Sequence, residues 1–213
     1  MIGGMRLKLG VIALVAAVAA GLPTGPARAA ACNQVTDKAG DAQDVAGANG
    51  SLDILSADLG SDNTSLTAVI RLKKLTDSSP TTPQARNYYV LFSTRNPAAR
   101  MFLTVTLYQA GVARYAWGTV GPVDPLGALT LYDDGSGVLH RATGFVDLVK
   151  NELHVTALVS DLAAKGGVKP GTQIDKLEAA TFYQLGGFIF ESDKALGKGS
   201  YIAGSPSCVT PGK

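Results

Sequence analysis

From Leu52 onward strand signals dominate, most clearly where apolar and polar residues alternate with a period of two, the pattern of half-buried strands. Leu66, Ala68, Ile70 and Leu72 share one face, with Thr67 and Arg71 on the other. Apolar and β-prone runs between turn signals predict further strands over 52–59, 88–92, 101–108, 112–120, 129–132, 138–142, 145–148, 153–159 and 177–183. Turn signals separate them at Ser61 to Thr64, Ala110 and Gly111, Asp133 to Gly137, and Lys150 and Asn151. Ser160 to Ala164 reads as one helical turn capped by Ser160 or Asp161. Residues 33–50 are polar and Gly-rich and read as loop, and the tail from Gly186 reads as mostly irregular. Short strands separated by turn signals, with no competing helical period, predict a mainly β chain with little helix. The expected architecture is an antiparallel β-sandwich, jelly-roll or immunoglobulin-like.

The N-terminus departs from this pattern. Arg6 and Lys8 precede an apolar run from Leu9 to Leu22, then Pro23, Gly25 and Pro26, then the small-x-small triplet Ala27 to Ala29. This is the layout of a secretory signal peptide over 1–29, with cleavage after Ala29, Ala30 or Ala31. Residues 30–213 are then expected to form a single domain. The apolar run falls short of the ~20 residues a membrane-spanning helix needs, and no other segment approaches that length. Acylation of Cys32 is the competing reading, but Ala29 to Ala31 lack the large aliphatic residue such a site normally has. Removing the leader also changes the charge. The full chain is formally +2, yet Arg6, Lys8 and Arg28 all lie in the leader, leaving 16 basic against 17 acidic residues. A near-neutral domain gives no reason to expect a nucleic-acid partner.

Two cysteines exclude a disulfide-dense scaffold and an all-Cys zinc site. In an exported chain, Cys32 and Cys208 are expected to pair and so join the two ends of the domain, with two free buried thiols as the competing reading. In the chain-entropy model a loop of that length contributes roughly 5 kcal/mol at most.

The hairpin from Met101 to Val120 carries the main binding expectation. On its first strand Met101, Leu103, Val105 and Leu107 form an aliphatic face, and Phe102, Thr104, Thr106 and Tyr108 an aromatic and hydroxyl face. Tyr115 and Trp117 alternate together on the second strand. Two registers fit. A two-residue turn at Ala110 and Gly111 sets Tyr115 and Trp117 beside Phe102 and Tyr108, giving a platform suited to stacking on sugar rings. A three-residue loop slips the register by one and sends Tyr115 and Trp117 into the core. Arg100 and Arg114 are rim charges in both.

Asp37, Asp41 and Asp44 lie in one polar loop close to Asp53, and such spacing can wrap a calcium ion. The loop lacks the EF-hand order and its bidentate Glu, so a solvated acidic loop is the competing reading. Asp58 and Asp62 read as turn formers. His140 and His154 are the only histidines, both on predicted strands, and His154 is expected to face solvent or a polar groove. No nucleophile elbow, phosphate loop, dinucleotide fingerprint or HExxH motif occurs. Asn49 to Ser51 and Asn63 to Ser65 match glycosylation sequons.

Several runs resemble a known kind of module: Asp37 to Ala42, Leu52 to Ile54, Ser65 to Thr67, Gly144 to Asp147, Asn151 to Leu162, Lys169 to Thr172 and Tyr201 to Cys208. Together they are similar to the DOMON-like or CBM9-like modules of secreted bacterial proteins, over roughly residues 35–208. That resemblance implies a β-sandwich that binds a sugar or another ligand, sometimes appended to an exo-enzyme. DOMON relatives that hold haem use Met and His ligands, for which Met101 with His140 or His154 would be the positions here, although the alternation of Met101 places it in the core. The expectation is a secreted, non-catalytic binding module for carbohydrate or another small ligand. A structural or interaction domain that meets a cell-surface protein is the second class.

Overall fold

The computed structural model describes residues 32–43, 50–76, 84–95, 98–108, 111–120 and 139–212. The expected leader, Asp44, the Asn49 sequon position, the expected strand over 129–132 and the expected turn at Asp133 to Gly137 lie outside these residues. Two antiparallel sheets pack face to face, as the alternation requires. The smaller sheet contains β1 (Val35–Thr36), β2 (Ile54–Ser61), β3 (Ser65–Leu72), β8 (Thr143–Asp147) and β9 (Glu152–Leu158), in the order β1-β2-β3-β9-β8. The larger contains β4 (Ala85–Arg95), β5 (Ala98–Tyr108), β6 (Ala113–Thr119), β7 (His140–Arg141), β10 (Gln173–Leu185) and β11 (Phe188–Leu196), in the order β11-β10-β4-β5-β6-β7. A short β12 (Tyr201–Ile202) pairs with β10.

The inward faces build one core. Leu66, Ala68, Ile70 and Leu72 are all buried, as their spacing predicts, against Tyr88, Val90, Phe92, Met101, Leu103 and Val105 of the facing sheet. Met101 is therefore core. One helix, α1 (Val159–Gly166), seats Val159 and Leu162 against the sandwich and ends on Gly167 in the left-handed conformation. It differs from the expected turn. Its first flanking residue is Leu158, without a side-chain cap, so neither Ser160 nor Asp161 caps it.

The tail is also more regular than expected. Gly186 and Gly187 both have positive φ and form a two-residue turn that pairs Leu185 with Phe188. The nine residues of β11 follow. The chain ends are joined by the Cys32–Cys208 disulfide, with Cα atoms 5.2 Å apart. Among the described residues no helix is long and apolar enough to cross a membrane.

Asp62 organises the β2–β3 turn. One carboxylate oxygen accepts the amides of Thr64 and Ser65 and both of their hydroxyls, which holds its pKa down at about 2. Asp58 is no turn former: it lies buried within β2 and pairs with Arg71 at 2.6 Å. His154, on the outward face of β9, bonds Glu152 and stacks on Phe145.

Where the sheets approach near β6, Gly144 is required. A Cβ there would lie 2.1 Å from the His154 carbonyl oxygen and 2.5 Å from the Tyr115 ring. Gly144→Ala is expected to lower stability by about 1–3 kcal/mol in urea unfolding, because the clash is with backbone. Gly199→Ala, with nothing within 4 Å, is the matched control and is expected to change little.

Candidate functional site

The β5–β6 connection decides where the aromatic residues go. The Tyr108 amide donates to the Val112 carbonyl at 2.9 Å, so three residues separate these paired positions, and Gly111 has φ +74. Leu103 then faces Trp117, Val105 faces Tyr115, and Thr106 faces Arg114. The four-aromatic platform does not form. Trp117 is 2% exposed on the inward face and stacks on His140, ring centroids 4.2 Å apart. Tyr115 is half-buried on the same face against Gly144, and burial raises its phenol pKa.

Phe102 does lie on the outward face, but it is fully buried. It packs in a second apolar cluster with Tyr89, Leu91, Ala180 and Phe182. Its ring covers Gly118, where a Cβ would lie 2.7 Å from it. Of the four aromatics, Tyr108 alone combines the outward face with access to solvent, at the end of β5.

What replaces the platform is a cavity of about 440 Å3 over β5, β6 and β7. Alternation places Thr104, Thr106 and Tyr108 of β5 beside Arg114 and Ala116 of β6, and the pairing of Ala116 with Arg141 adds β7. Tyr115 and His140 also contribute to the lining. The Arg114 guanidinium sits 5.3 Å from the centre of the Tyr108 ring, a cation–π contact that holds it at the cavity. The Thr106 hydroxyl donates to Asn87. Thr104 is 2% exposed, and its buried hydroxyl has no hydrogen-bond partner among the described residues. Arg100, expected as a rim charge, instead pairs with Glu178 at 2.6 Å.

A second polar site lies at the opposite edge of the larger sheet. Asp37 and Asp41 come together as expected, and β11 adds Asp193; carboxylate oxygens of the three lie within 4.8 Å of one another. Asp44 lies outside the described residues. Asp53 is not a member: it accepts the Gly40 amide and pairs with Lys73, pinning the loop. Nothing local in the sequence marked Asp193, which reaches the loop only through strand pairing. Three carboxylates supply about half of the six to eight oxygens calcium takes.

The chemistry of this cluster centres on Asp193. Burial raises its pKa to about 6, Asp37 and Asp41 add to the rise, and the amides of Ile54 and Lys194 oppose it. No family model matches the chain, and no curated protein matches it.

A raised carboxyl pKa means the folded state binds the proton more tightly than the unfolded state. The stability this contributes is full below about pH 4 and is lost as pH rises through about 6. Between pH 4.5 and 7, thermal melting of wild type is expected to fall relative to Asp193→Asn, which removes the titration. Parallel profiles for the two proteins would contradict the assignment.

Proposed function

We propose that the chain is a secreted, non-catalytic β-sandwich module of the DOMON-like or CBM9-like kind that binds a carbohydrate or another small extracellular ligand. The leader pattern and the disulfide support export. The observation that carries the binding reading is the cavity over β5–β7. Its volume lies within the range of small-ligand sites, roughly 300–1,000 Å3. It combines a tyrosine with hydroxyl and guanidinium donors, the mixture of flat apolar surface and oriented polar groups that sugar recognition uses.

One observation favours the interaction-domain reading. Leu185, Phe188, Ile189 and Phe190 are all exposed at the tip of the β10–β11 hairpin, Phe188 at 70%, and β11 is an edge strand of the larger sheet. Exposed apolar side chains on an edge strand are typical of a surface that meets another protein.

A glycan array separates the two. Wild type is expected to retain glycans, and Ala116→Trp, which fills the cavity, to lose them while keeping a wild-type circular dichroism spectrum. If wild type retains no glycan, the carbohydrate reading fails. The interaction reading then requires that Phe188→Ser/Phe190→Ser abolish attachment to cells and that Ala116→Trp leave it intact.

A further inference from the structure

We propose that the β5–β7 cavity takes an anionic sugar, with the sugar's oxyanion held between Arg114 and Arg141; this rests on the binding reading above. Two features point to negative charge on the ligand.

The first is the pairing of cations with acids. Among the described arginines, Arg71, Arg95 and Arg100 each pair with a carboxylate. Arg86 is buried on the oxygens of Ser51 and Thr76. Arg114 and Arg141 have no carboxylate partner among the described residues, and both line this cavity. The described lining contains no acidic residue.

The second is their placement. Arg141 pairs across from Ala116, two positions along the same face of β6 from Arg114. The two cations are thus diagonal neighbours, roughly 7–8 Å apart at the backbone. Like charges so placed repel, and an anion between them relieves the repulsion. Guanidinium groups also match a carboxylate or sulfate in geometry, donating paired hydrogen bonds.

Isothermal titration tests this with tri-galacturonate, the neutral galactose trisaccharide and its sulfated form. At least one acidic ligand is expected to bind, more tightly than the neutral one by roughly tenfold or more. Tri-galacturonate alone identifies a carboxylate, and the sulfated form alone identifies a sulfate. Arg114→Gln and Arg141→Gln are each expected to weaken the acidic ligand by about tenfold. If the neutral trisaccharide binds as well as the acidic ones, or if both Gln variants match wild type, the inference fails while the binding reading stands. If none of the three binds and a neutral glycan is retained on the array, the inference fails alone. If neither assay detects binding, both fail.

Discussion

The pairing of Leu103 with Trp117 sets the parity of the last strands of the larger sheet. With a three-residue connection before it, β6 turns its odd-numbered residues inward. Trp117 then fills the core beside the aliphatic face of β5, and Tyr115 wedges against the glycine of β8. The even-numbered residues turn outward, which brings Arg114 over Tyr108 and leaves Ala116 as the floor across from Arg141. A one-residue slip would reverse every one of these placements. Core and cavity are therefore two consequences of one register.

The outward face of the smaller sheet shows how polar groups are accommodated when a sheet face is not fully open to water. Arg71 bridges Asp58 and Glu152, and Glu152 continues to His154, so that buried charge is paired in a chain across three strands. Beside it the C-terminal tail crosses the sheet. The Ser207 hydroxyl donates to the Leu59 carbonyl, the Gly212 amide donates to the Thr67 hydroxyl, and Val209 packs over Gly60. The disulfide holds this tail at its root. Thr67 is buried despite its polar position because the tail covers it and Thr156 shares its hydroxyl hydrogen bond.

Much of the fold was legible because alternation is a local signal. The inward face of β3 and the core position of Met101 follow directly from period-two spacing. The disulfide was legible from an even cysteine count and the apolar pattern of the N-terminus. What escaped were features set by pairing. The residues of β11 carry no alternation of their own, and the Gly186–Gly187 turn is the one local signal of its hairpin. The aromatic platform depended on the length of one connection, which hydrophobic pattern does not encode. Asp193 and Arg141 join their partners only through strand neighbours distant in sequence, so no motif spacing could reveal them.

The register claim has a direct spectroscopic test, because Trp117 is the single tryptophan of the chain. Steady-state fluorescence with iodide as quencher reports its exposure. With Trp117 on the inward face, emission is expected to be blue-shifted with little quenching in the folded protein, and to shift red with full quenching only on unfolding. Red-shifted emission that iodide quenches readily in the folded protein would place Trp117 on the outward face, and the cavity with its arginine pair would not exist as described.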